Sequence, residues 1–120
     1  MRYAPIQFVV NQSMAADITS KAIPINQVFG YAVQAVYSTS GTLGGTLALQ
    51  ASVDHVEDNE GNILFQGHFD TITNSPVVLT GAGSFTWNVA TSNYMFFRLI
   101  YTHATGDSGT LSAKACTKGF

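Results

Sequence analysis

Four of the seven carboxylates fall in one seven-residue span, as Asp54, Glu57, Asp58 and Glu60, and Gly61 and Asn62 follow directly. A hard cation such as calcium takes six to eight oxygen ligands, and a loop of this kind offers some of them. The spacing departs from the alternating oxygens of an EF-hand, and Val56 interrupts it. The expectation is a solvated, metal-free acidic loop over Asp54–Gly61, with calcium binding as the alternative. His55, His68 and His103 would make a metal centre only if two of them converged from adjacent strands, and nothing in their spacing requires that. Each is expected to be internally satisfied or exposed. Gly106-Asp107-Ser108-Gly109 resembles the nucleophile segment of trypsin-like serine proteases, but Thr110 stands where that motif has another glycine. It also lies between two strand-like segments, where a Gly-Asp-Ser-Gly hairpin loop is expected. The single Cys116 excludes an intrachain disulfide and a cysteine-built zinc site, and no base stands near it in sequence to activate it. No catalytic residue, cofactor or metal site is therefore expected.

The aromatic residues are more abundant. Phe29, Tyr31 and Tyr37 share one face of a strand-like run, Phe85 and Trp87 share another, and Tyr94, Phe96, Phe97 and Tyr101 occupy both faces of a third. Such alternation reads first as core, and an exposed platform stacking on sugars is the alternative. Arg98 is the only charge in its strand, so its guanidinium needs a partner, with Asp54 or Asp70 as the candidates.

The elements that must position these residues are strands. Leu47, Leu49, Ala51 and Val53 alternate with polar or small neighbours, as do Phe85, Trp87 and Val89, and then Leu111, Ala113 and Ala115. Val28–Tyr37 and Tyr94–Tyr101 are apolar on both faces and read as central strands. Weaker strands are expected at Ile6–Val10, Asp17–Ile23, Ile63–Ile72 and Pro76–Leu79, and Met14-Ala15-Ala16 makes at most one turn. Gly, Asn and Pro clusters punctuate the intervals. The pattern predicts an all-β chain, a single-domain β-sandwich or jelly roll of about eight strands spanning residues 1–120. Trp87, Leu49, Val33 and Leu99 are expected to be buried.

Composition narrows the function. Charged residues make up 10% of the chain against about 25% in ordinary globular proteins. Ser, Thr, Asn and Gln together number 36, so uncharged polar groups take the place of ions. A net charge of −2 provides no general grip on nucleic acid, and no apolar run is long enough to span a bilayer as a helix. The N-terminus makes a poor signal peptide, so the expectation is a soluble chain made inside the cell. A surface so poor in charge suits a molecule held in a larger assembly or displayed outside.

A resemblance points the same way. The segments Asp17–Ser20 and Ile25–Tyr37, then Gly45-Thr46-Leu47-Ala48-Leu49-Gln50-Ala51-Ser52-Val53-Asp54, Trp87-Asn88-Val89, Phe97–Tyr101 and Gly109-Thr110-Leu111, resemble small β-sandwich structural proteins of tailed bacteriophages. The strand order is also loosely similar to discoidin-type jelly rolls. Glu57–Phe69 is longer and more acidic than the phage pattern. The phage resemblance implies a non-enzymatic virion component, most simply a capsid decoration (cement) protein. That protein would assemble in the host cytoplasm as a homotrimer on other virion proteins, the major capsid protein first, without nucleic acid or membrane. The alternative is a receptor- or glycan-binding module of a tail fibre or spike. In either case residues 1–11 form an arm or edge strand. Tyr3, Ile6, Phe8 and Val10 are too apolar for water, while Pro5 is ill suited to a central strand, so these four residues are the expected interface.

Overall fold

The computed structural model describes residues 6–24, 28–39, 43–72, 75–89 and 96–119. Tyr3 and the rest of residues 1–5, and Tyr94 of the expected third aromatic strand, lie outside them. Twelve strands follow one another: β1 (Ile6–Ser13), β2 (Ile18–Thr19), β3 (Ile23–Pro24), β4 (Val28–Ser38), β5 (Thr46–Ser52), β6 (Val56–Glu57), β7 (Ile63–Phe65), β8 (Asp70–Thr71), β9 (Val77–Val78), β10 (Gly83–Val89), β11 (Phe96–Thr102) and β12 (Thr110–Gly119). The count exceeds the expected eight or so because nine segments read as strands, two of them are split, and β6 is added.

Sheet A has the order β1-β12-β4-β10, and sheet B has the order β2-β11-β5-β8, with β3 also on β11 and β9 also on β5. Every pairing is antiparallel. β6 and β7 make a separate two-stranded hairpin.

The breaks in the expected strands have local causes. Asp17–Ile23 divides at Ser20, whose Oγ accepts the Leu99 N–H at 2.8 Å while its own N–H donates to the Leu99 carbonyl. A side-chain oxygen thus replaces a ladder carbonyl, and the ladder is interrupted there although both halves pair with β11. Ile63–Ile72 divides at Gly67, which sits at φ +66°, outside any strand conformation.

The two sheets meet through alternate residues. Sheet A contributes the small side chains Ala35, Ala113 and Ala115 between Val33, Leu111 and Trp87, all buried. Sheet B contributes Leu47, Leu49, Phe97, Leu99 and Tyr101, each at most 1% exposed. Large residues on one sheet fill the space left by alanines on the other. Phe97 occupies the centre. Its ring stacks on Tyr31 of β4 at 4.6 Å and meets Phe8 of β1 edge-on at 5.7 Å. Trp87, Leu49, Val33 and Leu99 are buried as the alternation requires.

β4 is central in its sheet, but its second face looks outward. Gln34 and Val36 are exposed there, so apolar runs on both faces do not mean cover on both faces. β1 is an edge strand of the chain's own sheet, paired with β12 from Ile6↔Ala115 to Ser13↔Thr110 through two register shifts. The extra residues put Phe8 and Val9 both inside, which strict alternation does not allow, and leave Val10 58% exposed. Phe8 therefore belongs to the core and offers no free surface to a partner.

Because Phe97 joins both sheets, Phe97→Ala is expected to cost about 3–5 kcal/mol in urea unfolding. Phe85→Ala, on the exposed part of β10, is expected to cost far less.

Candidate functional site

The residues singled out for chemistry gather in two places. The first is the turn after β11. Asp107 is 6% exposed. Its Oδ1 accepts the Gly44 N–H at 2.8 Å, and its Oδ2 accepts the Gly45 N–H at 2.9 Å and the Ala104 N–H at 3.2 Å. The Tyr101 hydroxyl donates to Oδ2 as well. These donors, Tyr101 foremost, hold the Asp107 carboxyl down at about 2, while burial drives the Tyr101 phenol well above its ordinary value. Nearby, His103 bonds the Met14 carbonyl through Nδ1 at 2.9 Å, and its N–H donates to Asp17 Oδ1 at 2.7 Å. Gly109, at φ +117°, passes so close to Ser38 that a Cβ would overlap the Ser38 carbonyl. The Gly-Asp-Ser-Gly segment is thus not the expected hairpin loop: β11 belongs to sheet B and β12 to sheet A, so the segment carries the chain from one sheet to the other, and its aspartate is occupied by structural donors.

The second place is the acidic segment, and there the histidines find their partners. Asp54 Oδ1 accepts the Ser52 hydroxyl at 2.9 Å and the His68 N–H at 2.8 Å, while Oδ2 faces His68 Nδ1 at 2.8 Å. This approach needs Gly67, because a Cβ there would run into the Asp54 side chain. The His68 amide bond, then its ring bond, holds the Asp54 carboxyl far below the usual carboxylate range, and the Asp54 bond raises His68. Asp58 closes the hairpin tip by accepting from the amides of Glu60 and Asn62 and from Asn62 Nδ2. These bonds, that of the Asn62 side chain first, lower its pKa.

His55 is the buried member, at 4% exposure. Its Nδ1 lies 2.8 Å from the Gln66 carbonyl and its Nε2 lies 2.6 Å from Glu57 Oε2. A carbonyl only accepts, so Nδ1 carries a proton, and the Nε2–Glu57 contact must hold another on one side or the other. The rings of Phe96 and Phe69 flank the imidazole at 4.7 and 5.1 Å. Phe96 alternates with buried Phe97, so His55 and Phe69 rest on the outer face of sheet B.

Several expectations change. Asp54–Gly61 is not simply solvated, since His55 is buried and Asp54, Glu57 and Asp58 direct their oxygens to internal donors. Among the described residues no three His, Cys, Asp or Glu side chains converge on a common point. Arg98 partners neither Asp54 nor Asp70. Its Nε donates to Gln50 Oε1 at 2.9 Å, and its guanidinium lies 4.1 Å from the centre of the Phe69 ring. The register explains this, because Arg98 stands directly opposite Gln50 in the β11–β5 ladder. Trp87 is buried and donates its Nε1–H to the Ser75 carbonyl at 2.8 Å, so it is no sugar platform. Cys116 is free and exposed. His55 and Glu57 stand only two positions apart, but His55 precedes β6, so no strand period announces their contact. The Asp54–His68 pair spans fourteen positions and carries no such signal either.

The pairing leaves a cleft of about 340 Å³ beside Asp54, His68 and Asp70. It also leaves an exposed apolar strand, with Ile63 57%, Leu64 67% and Phe65 55% accessible. Runs of three exposed large apolar residues are uncommon on a monomer. At the other side of the fold, β1 is unpaired on its outer edge among the described residues.

No family model matches the sequence, and no curated protein matches it. Among solved structures, the SPBc2 prophage-derived protein YomS aligns over 98% of this chain and 95% of its own, with a TM-score of 0.53 and 9% identity. What is shared is the fold. A chain from Bacillus endospore appendages, a family of disulfide-linked pili, aligns over 100% of this chain and 92% of its own, with a TM-score of 0.46 and 13% identity.

Two outcomes follow from the site. The raised His68 contributes stability that is fully present below the ordinary imidazole value and is lost as pH rises through its folded value. The lowered Asp54 contributes stability present above the ordinary carboxylate value and lost only at much lower pH. The bridge is therefore complete between those ranges, and proton NMR is expected to show a His68 midpoint above that of a free histidine, which Asp54→Asn returns to normal. Asp107→Ala leaves the Gly44 and Gly45 amides without their acceptor and the Tyr101 hydroxyl with only the Met14 carbonyl at 3.3 Å, and is expected to lower the midpoint of urea unfolding.

Proposed function

We propose that the chain is a non-enzymatic structural subunit of a tailed-phage particle, a capsid decoration protein that binds the major capsid protein and assembles as a homotrimer in the virion. The observation that carries this reading is the outer edge of β1, which no strand pairs among the described residues. Ile6–Ser13 contains no charged residue and no proline, the usual guards of an edge strand, and Val10 stands exposed on it. Only the two register shifts blunt it. In a monomer such an edge invites unwanted pairing; in an assembling subunit it is a ready docking element, through strand addition and an apolar contact. Ile6 and Val10 of the expected interface sit on this strand, and Tyr3 precedes it. The fold shared with a prophage-derived protein agrees with this origin. The acid-and-histidine cleft is the feature that favours the second reading, a glycan- or receptor-binding module of a tail fibre, since carboxylates and an imidazole bond sugar hydroxyls.

The test is to purify particles from a lysate of the phage or prophage that encodes the chain, separate heads from tails, and quantify the chain in each by mass spectrometry. The expected result is the chain on heads, in a copy number that follows the major capsid protein. Val10→Lys is expected to fold normally and to bind heads less. Recovery with tails supports the fibre module instead, and absence from both overturns a virion role.

A further inference from the structure

Charge is distributed unevenly across the sandwich. Residues 53–72 hold five carboxylates, Asp54, Glu57, Asp58, Glu60 and Asp70, and no lysine or arginine. The four strands of sheet A hold no carboxylate and two lysines, Lys114 and Lys118. These regions lie on opposite sides of the molecule. The hairpin segment covers the outside of sheet B, where His55 rests on Phe96, while on the outside of sheet A Gln34, Val36, Ser84, Thr86 and Lys114 are exposed among the described residues.

Their shapes differ as well. The hairpin projects Ile63, Leu64 and Phe65. The outer face of sheet A, the floor, sets one exposed valine among short polar side chains. Val36, 49% exposed, stands beside Ser84 and Ser112, and the next outward row sets Lys114 beside Gln34 and Thr86. We infer that the hairpin of one copy docks on the outer face of sheet A of another copy, with Leu64 and its neighbours over Val36 and the acidic tip toward Lys114.

The signs of charge select this arrangement. Hairpin against hairpin sets Glu57, Asp58 and Glu60 against their own copies, and floor against floor sets Lys114 against Lys114. Only hairpin on floor joins opposite signs and sets large apolar residues on Val36. One chain carries both halves, so a second copy supplies the match. The contact is heterologous, which is the kind a three-copy ring requires. The inference rests on the proposed role as an assembling subunit and specifies which surfaces meet.

Sedimentation of two variants tests it. Leu64→Asp removes the hairpin half and keeps the floor; Val36→Asp does the reverse. Both positions are exposed, and circular dichroism checks that each variant keeps its strands. Wild type is expected to sediment as an oligomer and each variant alone as a monomer. Their equimolar mixture is expected to form a dimer that grows no further, because one intact hairpin meets one intact floor. A mixture that stays monomeric, or a single variant that assembles like wild type, overturns the inference. Should Val36→Asp lose its fold, Lys114→Glu takes its place, with Glu60→Lys in the same chain expected to restore assembly and failure to restore it counting against the contact. Particle binding is scored separately. Chains that join heads while the mixture stays monomeric defeat this contact alone, whereas a mixed dimer from a chain absent from particles defeats the virion reading alone.

Discussion

One buried carboxylate closes an end of the sandwich. Asp107 sits where β11 turns toward β12, and it gathers Gly44 and Gly45 before β5, Ala104 in its own turn, and the Tyr101 hydroxyl from the core. A carboxylate in this place is tolerable only because its acceptor sites are filled, and a missing donor would leave a charge facing apolar neighbours. The constraint fixes where β5 begins relative to β11. The ladder from Phe96↔Ser52 to Thr102↔Thr46 then runs in one register, and that register sets Phe97, Leu99 and Tyr101 inward. The core and the outward row of Phe96, Arg98 and Ile100 both follow from it.

The second polar anchor has a similar logic and uses no charge. Ser75 is buried, accepts the Leu49 N–H and donates to the Leu49 carbonyl, and its own carbonyl receives the Trp87 indole. It ties sheet A to sheet B at the point where β8 and β9 share the edge of β5. With so few ions available, the fold joins its layers by aromatic contact and by short side chains that bond backbone.

The long strands were legible in the sequence, β5, β10 and β12 because burial on one face imposes a period of two, and β4 and β11 as longer runs apolar on both faces. The short ones were not. β2, β3, β7 and β8 depend on Ser20 replacing a ladder carbonyl and on Gly67 taking a positive φ, and neither changes the hydropathy pattern. Phe8 was misplaced because a bulge breaks alternation without any mark in composition. The acidic segment was visible as a cluster, but its partners were not. Asp54 meets His68 only through the path of the chain after β7, and Arg98 bypasses the carboxylates because strand register presents Gln50 first.

A rigid frame therefore carries a hairpin held by its own separate bonds: the His55–Glu57 and Asp54–His68 bridges, the Asp58 turn and a two-stranded ladder. Such a segment should open without unfolding the frame. Native-state hydrogen exchange tests this most directly. Amides of the β4–β12 and β11–β5 ladders are expected to exchange only through global unfolding. Those of Asn62 and His68 are expected to exchange through a smaller opening with little dependence on denaturant. Equal protection of both sets, lost together along one denaturant slope, would contradict a frame that carries an independently held hairpin.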